Sequence, residues 1–448
     1  MSSMTKVHGQ WSSRMGFILA ATGSAVGLGN IWKFPYMVGD SGGAAFVMLY
    51  LLCIFMIGLP ILVSEWLLGR RGQKNPINTM VELVEKNNAS RIWVLFGITG
   101  VLGAFLILSF YSVIGGWSLA YIKDAVVGNF SGQQGDGILA LFVGMLADPW
   151  KLVLWHTLFM LITVGIVARG VKGGLERAAT ILMPALGILL LLLVIYGMTT
   201  SGFKEALLFM FKPDWSGVDG STFLAALGHA FFTLSLGMGI MMAYGSYLGE
   251  DINLLQSART VVIMDTVIAL AAGMAIFPIV FANNLDLGQG PGLIFITLPV
   301  AFGNITAGWF VGVAFFVLLT FAAITSAISL LEPVVELVEE RTPLSRVGST
   351  LAAGLAVWLL GIAALLSFNV WEEVLFLGMN VFDFLDTLTS KYLLPLTGFG
   401  VILFVSWILD KESVRQELGM DVYDFSVWNL ITRFLAPIGV VVVFVGHL

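Results

Sequence analysis

The sequence predicts an all-α polytopic membrane protein with about eleven transmembrane helices, because apolar residues dominate it and come in long runs. Of its 448 residues, 58% are hydrophobic and 11% are charged, whereas soluble proteins are about 45–50% apolar and about 25% charged. The 22 Lys and Arg against 28 Asp and Glu leave a net charge of −6, so no basic surface is available for nucleic acid. The composition therefore excludes a soluble enzyme, a disordered chain and a nucleic-acid-binding protein.

The apolar runs place the individual spans, and Gly, Pro and charged residues separate them. Each run approaches the ~20 residues that cross ~30 Å of hydrocarbon, and we expect one transmembrane domain over residues 1–448. The predicted spans are 14–38, 44–69, 91–125, 152–168, 177–198, 222–247, 258–283, 308–338, 347–366, 378–409 and 425–446. The polar opening of the chain lacks the pattern of a cleavable signal, so we expect it to belong to the mature protein. The single cysteine, Cys53, leaves no partner for an intramolecular disulfide.

The distribution of cations predicts the orientation, because loops rich in Lys and Arg stay cytoplasmic. With the N-terminus inside, all the arginines fall on the cytoplasmic side, and the cations on the outer side are all lysines. The reverse orientation would invert this bias. We therefore expect a cytoplasmic N-terminus and, after an odd number of spans, an extracellular C-terminus.

The first and sixth spans are predicted to be broken helices. Span one carries GSAVGLGN from Gly23 to Asn30, and span six carries Ser235-Leu236-Gly237-Met238-Gly239. Glycine weakens a helix by ~1 kcal/mol relative to alanine, although Gly23 and Gly27 also fit an ordinary small-xxx-small packing contact. The two segments occupy corresponding positions in two five-helix halves of opposite topology, at about 11–200 and 220–410, with an extra helix at about 425–446. Paired interrupted helices in inverted repeats indicate a secondary transporter with its site at the midplane.

Ionisable residues inside the spans are expensive and usually functional, so they mark candidate sites. They are Lys33, Glu65, Asp265, Glu332, Asp383 and Asp386. For Glu65 a structural role is at least as plausible as a binding role, because a carboxylate accepts backbone N–H groups freed by a neighbouring broken helix. Thr325 and Ser326 could serve a site or simply bond back to their own helix. His156 and His229 share no metal-ligand spacing, and we expect both to be hydrogen-bonded packing residues.

Several motifs together resemble the neurotransmitter:sodium symporter family, in its bacterial amino-acid branch. They are WSSRMGFILAATGSAVGLGNIWKFP from Trp11 to Pro35, Gly42 to Tyr50, Glu65-Trp66, Phe232 to Gly237, and Phe295 to Pro299. The match runs in order from about residue 8 to the end. It implies a LeuT-type fold with inverted five-helix repeats and broken helices one and six. The twelfth span of many members is absent, and the ten-helix core does not need it.

The resemblance implies two sodium sites, and oxygen ligands at the breaks suit this hard cation. For the first site it implies Ala25, Asn30, Thr233 and Asp265, completed by the substrate carboxylate. For the second it implies the carbonyls of Gly23, Val26 and Ala322 with the hydroxyls of Thr325 and Ser326. We expect two sodium ions and no organic cofactor.

The resemblance also implies a substrate site around the same breaks. Its implied residues are Ala25, Leu28, Gly29, Ile107, Tyr111, Phe232, Thr233, Ser235, Met238, Ser326 and Leu330. Monoamine carriers of the family have an aspartate where Gly27 stands. A glycine there implies a substrate that brings its own carboxylate, namely an amino acid.

Gates and supporting residues follow from the resemblance as well. The implied outer gate is Lys33 with Asp386, above Tyr111 and Phe232, and most of the family has arginine in place of Lys33. Because lysine lacks the bidentate fork of arginine, we expect a looser latch. The implied inner gate comprises Trp11, Tyr247 and Glu340, with His8 or Lys6 as its base. In span five, Gly174 and Pro184 favour either a static kink or local unwinding that releases the second sodium ion.

The predicted function is a sodium-coupled symporter that imports hydrophobic L-amino acids by alternating access across a bacterial inner membrane. Its expected partners are the amino acid, Na⁺ and the lipid bilayer, with no obligatory protein partner. Chloride-dependent members carry asparagine where Asp265 stands and serine one turn later, where this chain has Ala269, so we expect chloride independence. Asp265 could also carry a proton outward after sodium leaves. A receptor or regulatory subunit on the same fold and an exchanger remain alternatives, and a membrane enzyme ranks third.

Overall fold

The computed structural model describes residues 9–285, 292–305 and 307–446. These residues form helices joined by short turns, with one isolated β-bridge between Phe376 and Met379. Among them, the long continuous apolar helices are Ala44–Gly72, Arg91–Val127, Pro149–Val167, Val171–Met198, Leu254–Ala282, Gly308–Arg341, Arg346–Leu366, Val381–Ile408 and Val422–Val442. We refer to them as spans two to five and seven to eleven.

Spans one and six are each divided into two helices, as the sequence predicts. Span one consists of Arg14–Ala25 and Gly29–Asp40, which meet at an angle of 48°. Span six consists of Gly220–Thr233 and Ile240–Ser246. The described residues thus contain nine continuous helices and one bent pair that are long and apolar enough to cross a membrane, where the sequence predicts eleven spans. The two helices at the position of span six are separated by a longer break, and for most spans the predicted ends agree with the structure to within a few residues.

Shorter helices connect the spans, and side chains cap the start of two of them. They are Pro76–Lys86, Gly135–Leu146, Phe203–Phe211, Leu293–Asn304 and Lys411–Leu418. Asn75 caps the first of them by accepting the N–H groups of Ile77 and Asn78 through its side chain. Asp219 forms a capping box with Thr222 at the start of span six.

Span eight lies at the centre of the molecule, and span five lies at its edge. In the most apolar 18-residue stretch of span eight, 83% of the residues are buried inside the protein. The corresponding share for span five is 28%. Span eight packs against spans one and three, and small residues allow other close approaches. A Cβ on Gly69 would lie 1.9 Å from the Met242 carbonyl oxygen, so span two contacts the backbone of span six. This packing places both breaks beside the central helix.

Candidate substrate and ion sites

The break in span one frees backbone N–H and C=O groups that would form hydrogen bonds within an unbroken helix. The first half ends at Ala25, and Val26 has extended torsions of φ −76° and ψ 91°. The helix resumes at Gly29 in a wide π-helical turn that runs to Lys33. The glycines are therefore more than a packing contact, although Gly23 does pack closely, since a Cβ there would lie 3.2 Å from both Met183 Sδ and Thr325 Cβ.

The break in span six is held open by left-handed residues and by Glu65. Ser235, Gly237 and Gly239 have φ values of 54°, 74° and 68°, which end one helix and start the next. The buried carboxylate of Glu65 accepts the freed Gly237 N–H at 2.7 Å. This hydrogen bond is the kind of contact that a supporting role for Glu65 requires.

Asp265 is the centre of a fully buried polar cluster between spans one, two, six and seven. Its Oδ1 accepts the side-chain N–H of Asn30 at 2.8 Å and the hydroxyl of Thr233 at 3.1 Å. Its Oδ2 accepts the hydroxyl of Tyr50 at 3.2 Å. The cluster joins three of the four residues expected at the first ion site, and the fourth, Ala25, ends the adjacent half-helix.

A second group of oxygens forms where span eight faces the break in span one. The Thr325 hydroxyl lies 3.5 Å from the Val26 carbonyl oxygen and 3.0 Å from that of Ala322. The Ser326 hydroxyl lies 3.4 Å from the Gly23 carbonyl oxygen and 3.1 Å from that of Ser24. All five residues expected at the second ion site therefore come together. Thr325 also bonds back to its own helix at the Phe321 carbonyl, 3.1 Å away.

A small pocket of about 20 Å³ lies between the two breaks, which is room for about one water molecule. Ten of the eleven residues expected at the substrate site line it, and Thr233 belongs to the Asp265 cluster instead. The lining residues are Ser24, Ala25, Gly27, Leu28, Gly29, Ile107, Tyr111, Phe232, Ser235, Met238, Ser326 and Leu330. The Leu28 N–H, at the break, donates to the Tyr111 hydroxyl at 3.3 Å.

A larger cavity of about 340 Å³ lies above this pocket, on the side of Lys33, Asp383 and Asp386. Tyr111 and Phe232 line both cavities and separate them. In the described part of the chain, Lys33 forms no ion pair with Asp386 within 4 Å, and its Nζ lies 4.3 Å from the centre of the Phe232 ring. The two charged side chains line one cavity without a direct ion pair, and the ammonium lies over the ring face in a cation–π contact.

At the opposite end of the molecule, Trp11 and Tyr247, which the resemblance implies for the inner gate, lie next to each other. The Trp11 Nε1–H donates to the Tyr244 carbonyl at 3.1 Å, and its ring lies 5.9 Å from that of Tyr247. The Tyr247 hydroxyl donates to Glu332, whose other oxygen is bound by Arg346.

Glu340, the acid expected at the inner gate, lies at the same end of the molecule. It accepts the backbone N–H of Asn75 at 2.6 Å and the side-chain amide of Asn78. The candidate bases His8 and Lys6 lie outside the described residues.

The N-terminal end of span five is helical in this structure. It forms a wide π-helical turn over Val171–Glu176, and Gly174 packs so closely that a Cβ would lie 2.1 Å from the Ile166 carbonyl oxygen. Glu176 accepts the Ser12 backbone N–H at 2.8 Å, which ties this turn to the start of span one. Pro184 lies inside the helix that follows.

Sequence reasoning missed three residues of this region: Ser24, Tyr50 and Glu176. His229 is a packing residue as expected, but the hydrogen bond expected for it was wrong, because both of its ring nitrogens are buried without a hydrogen-bond partner among the described residues. Its ring instead packs against those of Phe34 and Tyr50, at 5.6 Å and 5.3 Å. His156 has one partner, the Trp358 carbonyl at 3.2 Å from Nε2.

Two broken helices that meet beside a central span, with oxygen-rich clusters on both sides of a small pocket, define a secondary transporter. The sodium:neurotransmitter symporter family model matches residues 8–136 and 142–448. The chain belongs to this family of sodium-dependent transporters, which are not enzymes, and it is an integral membrane protein.

Named relatives and a solved structure agree with the family assignment. The chain is 38% identical to the sodium-dependent transporter YhdH of Bacillus subtilis over 98% of this chain and 97% of the relative. It is 33% identical to a sodium-dependent transporter of Haemophilus influenzae over the full length of both. The crystal structure of MhsT in complex with L-phenylalanine superposes with a TM-score of 0.90, at 44% identity over 98% of this chain and 100% of that one. The predicted LeuT-type fold is thereby confirmed.

Proposed function

We propose that this protein is a symporter that imports hydrophobic L-amino acids together with sodium by alternating access. The observation that carries the proposal is the Asp265 cluster beside the pocket, because it sets a buried carboxylate next to freed backbone carbonyls where a cation and a carboxylate ligand can meet. The MhsT complex, which contains L-phenylalanine, supports the substrate class.

Two sodium ions are proposed, one at each group of oxygens. Asp265, Asn30, Thr233 and the Ala25 carbonyl hold the first ion, and the substrate carboxylate completes its shell. Thr325 and Ser326 hold the second with the carbonyls of Gly23, Val26 and Ala322. Because the first ion and the substrate share a ligand, each raises the affinity for the other, as linkage requires.

The amino acid is proposed to bind at the break in span one. Its carboxylate meets the N–H groups of Leu28 and Gly29, at the positive end of a half-helix, and its amine meets carbonyls near Ala25 and Phe232. Gly27 supports this placement, since a Cβ there would lie 2.3 Å from Ser326 Oγ and 3.0 Å from the Tyr111 hydroxyl. A side chain at position 27 would occupy the place of the substrate.

The gates are proposed to alternate around this fixed site. Lys33 and Asp386 guard the outer side above Tyr111 and Phe232, and Trp11, Tyr247 and Glu340 guard the inner side. We further propose the cytoplasmic N-terminus, the extracellular C-terminus, the bacterial inner membrane and the two inverted halves that the sequence predicts. No organic cofactor and no obligatory protein partner are included in the proposal.

Uptake into proteoliposomes tests the function directly. A panel of labelled L-amino acids is offered with an inward sodium gradient, with equal sodium on both sides and with potassium in its place. We expect accumulation of valine, leucine, phenylalanine, tyrosine and tryptophan only with the gradient, and none of lysine or glutamate. Equal exchange without net accumulation would identify an exchanger, and binding without uptake would identify a receptor.

Met238 is expected to set the breadth of the substrate range. The pocket must expand to admit a side chain, and the unbranched, flexible Met238 on its wall can retreat, whereas relatives with a narrow aliphatic range carry phenylalanine there. We predict that Met238→Phe lowers the affinity for tryptophan at least about tenfold, or ~1.4 kcal/mol, and that for leucine much less. Competition by both amino acids against labelled leucine measures this. An unchanged ratio of the two affinities would contradict the explanation.

Pro184 is expected to affect release of the second sodium ion. Proline removes one helix hydrogen bond and clashes with the preceding turn, and Met183 beside it packs on Gly23 of the second ion site. We predict that Pro184→Ala slows turnover several-fold and leaves equilibrium sodium affinity within about twofold, because a regular helix unwinds less readily. Gly187→Ala, on the same helix with open space around it, is the control. Equal effects of Pro184→Ala on turnover and binding would indicate a static kink.

Transport is further proposed to be independent of chloride, because the Asp265 carboxylate supplies the negative charge beside the first sodium ion and repels an added anion. After sodium and substrate leave, Asp265 is proposed to bind a proton for the return step. The cycle is then sodium symport with proton antiport.

A further inference from the structure

A groove at one membrane face carries three charged side chains that the transport site does not use. It has a volume of about 680 Å³ and lies between the helix Pro76–Lys86, the start of span three and the end of span eight. Glu85, Arg91 and Arg341 line it. Span three begins at Arg91 and span eight ends at Arg341, so the groove lies at the level where the spans leave the membrane.

These three charges lack ionic partners in the protein. In the part of the chain that the structure describes, none of them forms an ion pair within 4 Å, whereas the neighbouring Lys74 and Lys86 both pair with Glu82. Arg341 donates one hydrogen bond to the Asn78 side chain at 2.6 Å. Two guanidinium groups and one carboxylate therefore remain available to a ligand in the same groove.

An apolar strip leads out of the groove along span three. Ile92, Leu95 and Ile98 line the groove and are exposed by 66%, 44% and 43%. Leu102 continues the strip further along the span and is 43% exposed. Spacings of three and four residues keep these side chains on one face of a helix, and an exposed apolar face of a transmembrane helix contacts acyl chains. A ligand of this groove thus has a charged head and an apolar tail.

We propose that this groove binds an aminophospholipid, a lipid with a phosphate and a primary ammonium group. Arg91 and Arg341 bind the phosphate, for which guanidinium groups offer paired donors, and Glu85 accepts from the ammonium group. Its acyl chain lies along Ile92, Leu95 and Ile98. An anionic headgroup without an ammonium leaves Glu85 unpaired beside a phosphate, and a choline headgroup has no N–H to donate.

The bound lipid also reaches the inner gate. Arg341 bonds to Asn78, and Asn78 donates to Glu340, which also holds the backbone of Asn75. A headgroup on Arg341 and Glu85 therefore braces the helix Pro76–Lys86 against the end of span eight.

Native mass spectrometry of the purified full-length protein tests the site without measuring transport. Phosphatidylethanolamine, phosphatidylglycerol and phosphatidylcholine with identical acyl chains compete for the wild-type protein. We expect at least fivefold preferential retention of the ethanolamine lipid over both others. Equal retention of all three lipids, or preference for the glycerol lipid, would overturn the proposal.

Two charge variants separate the contributions of the groove residues. Glu85→Gln is expected to remove the preference for the ethanolamine lipid over the glycerol lipid, and Arg91→Gln to weaken both. Arg169→Gln is the control, because Arg169 is exposed at the same membrane face and does not line the groove. If Glu85→Gln and Arg169→Gln retain the lipids in the same ratios as the wild type, the groove is not the binding site.

Discussion

Replacing Asp265 by asparagine is expected to abolish sodium-driven uptake at sodium concentrations that saturate the wild-type protein. Asp265 is fully buried and accepts from Asn30, Thr233 and Tyr50, so its charge is held where a cation can bind and water cannot screen it. Asparagine keeps the size and loses the charge. We expect the sodium affinity to fall on the order of tenfold to a hundredfold, about 1.4 to 2.8 kcal/mol.

Sodium titration of amino-acid binding in detergent measures this loss without requiring transport. Tyr50→Phe is the matched control, because it removes one donor to the same carboxylate and leaves the charge in place. We expect its sodium affinity to fall less than that of Asp265→Asn, since a single hydrogen bond contributes about 0.5–1.5 kcal/mol and the carboxylate charge remains. Wild-type sodium affinity in Asp265→Asn would show that the charge does not serve the ion site.

Asp265 also leads us to expect that transport does not require chloride. Wild-type uptake is expected to be unchanged when gluconate replaces chloride, and a pH-sensitive dye inside the vesicles is expected to report proton efflux linked to uptake. Asp265→Asn combined with Ala269→Ser is expected to regain uptake only in chloride, because the double variant has the pair found in chloride-dependent members. Chloride dependence of the wild type would contradict the proposal, whereas absence of proton movement would remove only the antiport.

The breaks and the ion clusters could be predicted from the sequence because their causes are local. Glycines crowded around Gly27 and Gly237 weaken the helix whatever surrounds them, and a carboxylate such as Asp265 inside an apolar span needs a polar partner. Glu65 could be interpreted the same way, since freed backbone N–H groups require an acceptor nearby. These features depend on composition within one or two turns, and in the structure both helices are broken and Asp265 has polar partners.

Contacts between distant spans could not be predicted from composition. Tyr50 donates a hydrogen bond to Asp265, which is 215 residues away in the sequence. Glu176 accepts one from Ser12, which is 164 residues away. Neither residue has a spacing that indicates its partner. His229 was expected to be hydrogen-bonded, but aromatic rings surround it, and an apolar helix face gives no sign of which neighbours will be polar. The position of Lys33 over the Phe232 ring likewise could not be predicted from composition.

Gly237→Ala is expected to disrupt the break in span six and with it both stability and binding. Gly237 has a φ of 74°, which costs an alanine about 1–2 kcal/mol. Its Cβ would also lie 2.3 Å from the Leu394 carbonyl oxygen of span ten, and backbone cannot rotate away as a side chain can. Overpacking of this kind costs about 1–3 kcal/mol. Movement of the segment would also stretch the bond between the Gly237 N–H and Glu65.

Gly228→Ala, in the same span, is expected to raise the stability of the protein. Gly228 lies inside the helix Gly220–Thr233, and no neighbouring atom lies within 4 Å of the position that a Cβ would occupy there, so alanine gains about 0.5–1 kcal/mol of helix stability. Thermal unfolding in detergent and amino-acid binding measure both variants. We expect a lower Tm and lost binding for Gly237→Ala, and an equal or higher Tm with retained binding for Gly228→Ala. An unchanged or higher Tm with retained binding in Gly237→Ala would show that the break tolerates an alanine, and a fall in Tm for Gly228→Ala as large as that for Gly237→Ala would show that the loss is not specific to the strained, crowded glycine.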